Sequence, residues 1–411
     1  MHQDIVIIGA GPAGLAFARS LADTGLRIAL VDRQSREELA EPPVDGRDIA
    51  LTHQSRRILE QLGAWQLLPS DGVSRLHEAR VIDGDASDVL NFGGSGNAEP
   101  LGWLVANHLI RKALFDVVKR LDKVELISEA SATEVSSGDL LARVMLSDGR
   151  ELTASLFIGA DTRFSETRRS MGIPAEMNDF GRVAIVCRME HEKSHKNIAW
   201  ECFHYGRTLA ILPMPGNASS IVITVPASAA PGILAMDEDT FNADIEERFE
   251  SRLGRMRLVG DRHAYPLVAV HAKQFVGQRF ALIGDAAVGM HPVTAHGFNL
   301  GLSGAELLAR QVSKAVQKQA DIGAPDVLLP YQAKHRLDTL PLFLGTNTVV
   351  GLFTDDSLPA KFLRKAVLHA SNHLPPVKWA IRRKLTGQAG FSALPSPPGW
   401  LLSRLSGFKA G

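Results

Sequence analysis

The chain begins with a strand, a glycine-rich turn and a helix, and this order constrains its fold more than any other feature. Residues 4–8 (DIVII) are apolar and mostly β-branched, as in a buried parallel strand, and Gly9-Ala10-Gly11-Pro12-Ala13-Gly14 follows directly. Gly9 allows a tight turn, Gly11 lets the backbone approach a pyrophosphate, and Gly14 permits close packing of the helix. We therefore predict a Rossmann-type unit whose helix N-terminus binds the phosphates of a dinucleotide.

A second apolar strand, residues 28–31, ends at an acidic residue placed for a ribose contact. Asp32 lies roughly 20 positions after the glycine motif, which is the spacing typical of this fold. Its carboxylate accepts hydrogen bonds from a ribose diol and repels a 2′-phosphate, so NADP is not expected in this site. The alternative is a glycine turn that binds no ligand, and the strand, spacing and acid together disfavour it.

Composition agrees with an enzyme that acts on small molecules. At 411 residues the chain exceeds one ordinary core, so two domains or one elaborated unit are expected. The 45 basic and 45 acidic residues balance, which argues against a nucleic-acid partner. The N-terminus enters the first strand at once and no apolar run is long enough to span a membrane, so we predict a cytoplasmic protein. Cys187 and Cys202 stand far apart, so neither a disulfide framework nor a metal site is predicted.

A second motif, Gly284-Asp285-Ala286-Ala287, follows another apolar strand at residues 279–283. Together the two motifs resemble the two halves of one FAD site, the first for the pyrophosphate and the second for the sugar chain. Between them, residues 180–225 contain four alternating segments that predict an antiparallel sheet with one covered face. Beyond about residue 297 the pattern is helical.

Five ordered stretches make the chain similar to group A flavoprotein monooxygenases of the para-hydroxybenzoate hydroxylase fold. The similarity is greatest to the ubiquinone-biosynthesis hydroxylase branch (UbiH/UbiF/VisC type) and covers almost the whole length. The stretches are the N-terminal motif; 45–51 (DGRDIAL) with 62–65 (LGAW); 105–107 (VAN) with Arg111; 159–161 (GAD) with Ser165 and Arg168; and 281–287 (ALIGDAA) with 291–292 (HP) and 297–301 (GFNLG). The variant at 295–299 (AHGFN) resembles a UbiM-like subgroup.

The resemblance implies an α/β fold in which a Rossmann-type FAD-binding domain is interleaved with an antiparallel-sheet substrate domain, followed by a helical C-terminal region. The predicted segments are 1–75, 107–175 and 273–330 for the FAD-binding domain, 76–106 and 176–272 for the substrate domain, and 331–411 for the C-terminal region.

The resemblance also implies where FAD binds. Asp285 would contact the ribityl chain, and Arg47 and Arg111 would face the pyrophosphate or ribityl region; an N-cap for Asp285 and exposed salt bridges for the arginines are the alternatives. The helix that begins at Gly297 would stabilise negative charge on the reduced flavin. The remaining residues predicted to bind the cofactor are Arg33, Val135, Asp161, Gly284, Pro292, Phe298 and Asn299.

No amino-acid nucleophile is expected, because the cofactor carries the oxygen transfer. Pro292, His296 and Gly297 are the candidates beside the flavin. His296 would tune the flavin or orient the substrate, or it would only hydrogen-bond to the backbone, and the functional and the structural interpretation both stay open. The chain departs from the usual family pattern at Thr162, Val288, Ala295-His296 and Ser303-Gly304. The first of these puts the nicotinamide-linked role of the 159–161 motif in doubt.

The function implied is hydroxylation of the aromatic ring of a polyprenylated phenol or quinol in ubiquinone biosynthesis, through a C4a-hydroperoxyflavin formed with O2. NAD(P)H would reduce the flavin transiently, since no second complete dinucleotide motif occurs. Trp200, Phe203 and Leu212 are predicted to line the apolar passage for this hydrophobic aromatic substrate. The alternatives are a hydroxylase of a small soluble phenol, a related flavin epoxidase or reductase, and a non-catalytic flavin-binding assembly protein.

A polyprenylated substrate also implies peripheral contact with the inner membrane or with a biosynthetic complex. The basic and aromatic residues 378–384 (KWAIRRK) fit such a contact, although core packing with a solvated basic face explains them as well. The sequence leaves the oligomeric state open.

Overall fold

Three β-sheets organise the chain in a computed structural model, which describes residues 2–83, 89–93, 99–204, 206–291 and 296–354. The strands are β1 (His2–Ile8), β2 (Ile28–Val31), β3 (Asp48–Leu51), β4 (Val73–Leu76), β5 (Glu78–Asp83), β6 (Leu90–Gly93), β7 (Gly102–Ala106), β8 (Val124–Ile127), β9 (Ala132–Ser137), β10 (Ala142–Leu146), β11 (Glu151–Gly159), β12 (Ala175–His191), β13 (Ile198–His204), β14 (Arg207–Met214), β15 (Ala218–Pro226), β16 (Met256–Ala272), β17 (Val276–Gly277), β18 (Phe280–Leu282) and β19 (Val288–Gly289). The helices are α1 (Pro12–Ser20), α2 (Arg36–Ala40), α3 (His53–Gln61), α4 (Asn107–Val118), α5 (Glu166–Ser170), α6 (Ala230–Leu234), α7 (Glu238–Arg248), α8 (Gly297–Gln317) and α9 (Pro325–Thr354).

The first sheet has the order β17-β18-β11-β1-β2-β8, with β10 and β9 attached beside β11. Strands β1, β2, β8, β11 and β18 are mutually parallel where they pair. Helices α1, α4 and α8 contribute to the same core cluster as these strands, and β2 is buried at every position. This burial explains their continuous apolar sequence and confirms the Rossmann-type fold predicted from the N-terminal motif.

The second sheet has the order β19-β16-β12-β15-β14-β13-β5-β6 and is antiparallel from β16 to β13. Alternate residues of its strands form a second core cluster with α6 and α7, as the period-two pattern of residues 180–225 predicts. We call this the outer face of the sheet, and both cysteines are buried in it. The opposite, inner face meets the third sheet, β3-β7-β4, where β14 contacts β4 and β7.

The two large sheets take their strands alternately from the chain. Residues 2–31, 124–159 and 276–282 build the first sheet, whereas residues 78–93, 175–272 and 288–289 build the second. The predicted division of the chain into segments stays a prediction.

Two long helices follow the second glycine motif. Helix α8 contributes nine buried residues, and α9 continues to Thr354 with Pro330 and Pro341 inside it. No helix among residues 2–354 that the structure describes is long and apolar enough to cross a membrane. The rest of the predicted C-terminal region, including 378–384, lies outside the described residues.

Tyr331 hydrogen-bonds α9 to the first sheet, and removing its hydroxyl should show how much this bond stabilises the protein. The buried hydroxyl donates a hydrogen bond to the Leu282 carbonyl at 2.7 Å. We expect Tyr331→Phe to lower the free energy of unfolding by about 1 kcal/mol, because a buried carbonyl loses its donor. Tyr265→Phe is the matched control, since the Tyr265 hydroxyl donates to the Asp45 carbonyl at 2.7 Å in a half-buried place that water reaches. Equal urea midpoints for Tyr331→Phe and the unchanged protein would contradict this account.

Candidate active site

The first glycine turn has the geometry that its motif predicts. Gly9 has φ +111°, and a Cβ atom on it would lie 2.4 Å from the Ala160 carbonyl oxygen. A Cβ atom on Gly14 would lie 1.9 Å from the Gly9 carbonyl oxygen. The protein itself therefore requires both glycines. Gly11 is different, because a Cβ atom there would meet nothing within 4 Å. The open space lies at the N-terminus of α1, where a phosphate would bind.

Asp32 is held beside this turn by the backbone. Its Oδ2 accepts a hydrogen bond from the Ala10 N–H at 2.6 Å, and its Oδ1 accepts one from the Gln34 N–H at 2.9 Å. The Gln34 side chain in turn accepts a hydrogen bond from Arg111 at 2.6 Å. The structure thus brings Asp32, Arg111 and the glycine turn together. Arg33 does not join them, because its exposed guanidinium forms an ion pair with Glu166.

Arg47 and Arg111 give the site its positive charge. The carboxylate of Asp45 binds the Arg47 guanidinium at 2.6 Å and also accepts a hydrogen bond from Asn107 at 2.8 Å. Burial acts to lower the pKa of Arg47, but the hydrogen bond and charge of Asp45 outweigh it and raise the pKa. Burial, and then the charge of Arg47, lower the pKa of Arg111. The positive charges of these two guanidinium groups repel each other, and an anionic ligand such as a diphosphate would relieve that repulsion.

The sequence indicated no individual role for Asp45, Asn107 or Gln34. Asp45 and Asn107 belong to the motifs at 45–51 and 105–107, but their contacts join different elements and depend on the tertiary structure. The only sign in the sequence that these residues matter is that an acid and an amide occur within those two motifs.

The second glycine motif packs directly against the first. Gly284 has φ +62°, and a Cβ atom on it would lie 2.8 Å from the Cβ atom of Ala13. A Cβ atom on Gly301 in α8 would lie 3.2 Å from the Gly284 Cα atom. Residues 13, 284 and 301 therefore lie in one close contact. Asp285, in the same turn, keeps its carboxylate 3.3 Å from Arg163 and partly exposed.

Asp161 and Arg168 support this turn from inside the protein. The Asp161 carboxylate accepts hydrogen bonds from the Ser165 hydroxyl at 2.5 Å and from the Thr167 N–H at 3.3 Å. The buried Arg168 guanidinium donates to the Ala286 carbonyl at 3.0 Å. The Asp161 side chain is thus committed to protein groups. Val135, also predicted to bind the cofactor, lies half-buried in β9 opposite Val144.

The N-terminus of α8 is anchored to the β3–α3 junction. Asn299 accepts a hydrogen bond from the Thr52 N–H at 3.0 Å and donates one to the Ala50 carbonyl at 2.9 Å. The His296 carbonyl accepts the Leu300 N–H at 2.8 Å, and Phe298 packs against the core cluster. A Cβ atom on Gly297 would lie 3.7 Å from Met290, an ordinary contact. Pro292 and Ala295 lie outside the described residues.

His291 has an environment that keeps its ring neutral. Burial, together with the charges of Arg163 and Arg182, lowers its pKa to about 4. The ring packs edge-on against Phe180 with a centroid distance of 4.8 Å. A histidine with this pKa is unprotonated at neutral pH, so it carries no charge near the second glycine motif.

The three predicted substrate residues do not share one surface. Trp200 lies on the outer face of the second sheet, where its ring is 5.7 Å from that of Phe249 and 4.9 Å from the Arg80 guanidinium. Because side chains alternate along a strand, Phe203 in β13 points to the inner face, and Leu212 in β14 does the same. A passage lined by Phe203 and Leu212 on the inner face therefore excludes Trp200.

These features are those of a dinucleotide-binding fold joined to a large antiparallel sheet, and the comparisons with known proteins agree with this fold. The FAD binding domain family matches residues 2–337, and the chain belongs to this family. It is 47% identical over 392 residues to ubiquinone hydroxylase UbiM of Neisseria meningitidis, covering 94% of this chain and 85% of that protein. It is 36% identical over 395 residues to ubiquinone hydroxylase UbiL of Rhodospirillum rubrum, covering 96% and 91%.

A solved structure shares the fold. The p-nitrophenol 4-monooxygenase PnpA from Pseudomonas putida matches with a TM-score of 0.71 at 18% identity, covering 95% of this chain and 99% of that one.

The residues present fit FAD. The open space at Gly11, the backbone-held Asp32 and the paired arginines provide a phosphate-binding turn, a ribose acceptor and a counter-charge. Near the second glycine motif, Asp285 provides a further acceptor. We propose these as the principal cofactor contacts.

Two glycine substitutions separate ligand contact from protein packing. Gly11→Ala and Gly297→Ala introduce methyl groups that the protein accommodates, so thermal stability of the FAD-free protein should not change. We expect FAD to bind roughly 10-fold more weakly to each, equivalent to about 1.4 kcal/mol, because the added methyl group displaces the cofactor from the backbone. Gly232→Ala is the matched control, since a Cβ atom there also meets nothing within 4 Å. Unchanged FAD affinity in both variants, measured by fluorescence titration, would contradict the contact.

Proposed function

We propose that the protein is an FAD-dependent monooxygenase that hydroxylates the aromatic ring of a polyprenylated phenol or quinol in ubiquinone biosynthesis, with NAD(P)H as reductant. The observation that carries the proposal is the contact between the second sheet and the loop that bears Arg47. The Tyr265 hydroxyl donates to the Asp45 carbonyl at 2.7 Å, and Arg188 binds Asp48 at 2.8 Å. A ring held on the inner face lies next to the proposed FAD site.

The similarity to UbiM and UbiL, over nearly the whole of each chain, supports the ubiquinone pathway as the source of the substrate. When bound, FAD supplies the redox chemistry by which O2 delivers one oxygen atom to the ring. The chain contributes binding, orientation and exclusion of water. The N–H groups and dipole of the 21-residue helix α8 stabilise negative charge at its N-terminus.

NAD(P)H is proposed as a transient reductant rather than a resident cofactor. Asp32 and the first glycine turn form one dinucleotide site, which FAD occupies in this proposal. The sequence has no second complete motif of this kind.

A lipid-derived substrate is favoured over a small phenolic acid. A site for an acid would present an unengaged cation to the carboxylate. Arg188, a cation of β12 beside the inner face, already binds the fully buried Asp48 side chain. On the surface, Leu329 and Leu337 are exposed beside an apolar groove of α9 that Leu340 and Pro341 also line. These leucines support the proposed peripheral contact with the membrane that holds a prenylated substrate.

The length of the prenyl tail tests the proposed substrate class. One aromatic head group carrying zero, one, two or more isoprene units is assayed in detergent after the FAD content has been measured. NAD(P)H oxidation and hydroxylated product, identified by mass spectrometry, should rise together with tail length, since each buried methylene contributes about 0.8 kcal/mol. Peroxide release is measured beside them to detect uncoupled oxidation. If the tail-free phenol gives the same coupled turnover as the prenylated phenols, a lipid substrate is excluded, whereas the hydroxylase activity itself is not.

A further inference from the structure

Glu201 occupies a position in the second sheet that the proposed site does not yet explain. It lies in the middle of β13, opposite Val81 of β5 and Ala210 of β14. Its chain neighbours Trp200 and Cys202 both belong to the core cluster of the outer face. Because side chains alternate along a strand, Glu201 points to the inner face.

The row of residues that contains Glu201 is apolar from Ala210 to Val186 and leads to the proposed FAD site. From Ala210 the register continues to Val222 of β15, Val186 of β12 and His263 of β16. At its far end, Val186 and His263 pack against Gly46, next to Arg47. Three strand spacings of about 4.8 Å place Glu201 roughly 14 Å from Val186. A ring between these two ends would contact an apolar surface with one carboxyl group.

The carboxyl group of Glu201 has no partner in the part of the chain that the structure describes. No described residue donates a hydrogen bond to it, and burial alone raises its pKa to about 8. Both arginines of the flanking strands are engaged on the outer face: Arg80 lies over Trp200, and Arg207 binds Asp244. Asp83 of β5 lies in register with Phe203, and a carboxylate donates no hydrogen bond. On the facing sheet, Arg75 of β4 is exposed and β7 carries no ionisable group.

An unpaired acid in an apolar row lowers stability unless a ligand uses it. The Glu201 side chain nevertheless keeps some accessible surface, so it borders a space instead of being packed on every side. Both observations indicate that the carboxyl group hydrogen-bonds to a bound molecule.

We propose that Glu201 hydrogen-bonds to the ring hydroxyl of the phenolic substrate and accepts its proton as the ring is hydroxylated. The O–H bond of the phenol breaks, a new O–H bond forms on the carboxylate, and the electron pair stays on the phenolate oxygen. The ring thereby becomes more electron-rich and reacts more readily with an electrophilic oxygen. This inference rests on the proposed function and assigns to that site a residue that contacts the substrate.

The apolar row makes Glu201 a better base than an ordinary glutamate. A phenol such as the tyrosine side chain has a pKa of about 10, and an ordinary glutamate one of about 4.3, so proton transfer between them is unfavourable by roughly 10⁶. Burial raises the pKa of Glu201 to about 8, which reduces that factor to roughly 10². Because only the carboxylate accepts a proton, activity should rise with pH through about 8.

The kinetic test compares Glu201→Gln with the unchanged holoprotein. Glutamine keeps the size of the side chain and its hydrogen bonding but accepts no proton. We expect kcat for the prenylated phenol to fall by roughly 10²-fold with a smaller change in KM, and the rise of kcat with pH to disappear. Glu190→Gln is the control, because Glu190 lies exposed on the same sheet in an ion pair with Arg257 and should behave like the unchanged protein. Retention of kcat and of its pH dependence in Glu201→Gln would overturn the proposal.

A binding measurement tests the same contact without oxygen transfer. A nitrophenol is added to the oxidised holoprotein, and the absorbance of the phenolate reports the ionised fraction of the bound probe. We expect the phenolate fraction to be larger in the unchanged protein and in Glu190→Gln than in Glu201→Gln, and to be partly restored in Glu201→Asp. FAD content and melting temperature verify that each variant is folded.

The two measurements separate the proposals. A protein that hydroxylates no phenol would refute the proposed function, whereas the nitrophenol comparison still decides whether Glu201 accepts a phenolic proton. Equal phenolate fractions in the unchanged protein and Glu201→Gln would overturn the role of Glu201 even if hydroxylation is observed.

Discussion

The close contact among α1, the turn at Gly284 and α8 is the constraint on which the rest of the site depends. A Cβ atom on Gly284 would lie 2.8 Å from Ala13, and one on Gly301 would lie 3.2 Å from Gly284. Larger side chains would push the three elements apart by more than the packing tolerates. Because these segments meet, the phosphate-binding turn, the Asp285 acceptor and the N-terminus of a long helix face one region. The buried Arg168 reinforces the arrangement through its hydrogen bond to the Ala286 carbonyl.

The second sheet adds a surface of different character to this region. Its outer face is covered by α6 and α7, whereas its inner face reaches the loop at residues 45–48 through Tyr265 and Arg188. Two guanidinium groups lie beside this loop: Arg47 is restrained by Asp45, and Arg111 of α4 is restrained by Gln34. The sheet instead presents an apolar row with Glu201 inside it. An anionic cofactor and an apolar aromatic substrate would each find a matching surface on adjoining sides of one site.

Much of the fold could be predicted because its local signals are strong. The apolar run before Gly9, the spacing to Asp32 and the alternation at residues 180–225 each agree with the element found there. Individual side chains were less predictable. Trp200 and Phe203 both look like substrate residues in an apolar strand, yet an odd separation places them on opposite faces. Asp161 and Asn299 are predicted to bind the cofactor, and nothing in the sequence indicated that their side chains also hydrogen-bond to Ser165 and to the backbone at residues 50 and 52.

The sequence by itself determined the class of the fold, the glycines at which backbones approach closely and the alternation of the second sheet, since each depends on residues close together along the chain. The tertiary structure alone decided which polar groups are already engaged and which remain available to a ligand. The sequence does not distinguish Arg33 from Arg111, since both are arginines. In the structure, Arg33 pairs with Glu166 in solvent, whereas Arg111 lies near Arg47. Likewise, Glu201 reads as an ordinary strand residue until the register places it in an apolar row, where burial raises its pKa to about 8. Electrostatic environment depends on neighbours from distant segments, and only folding brings those together.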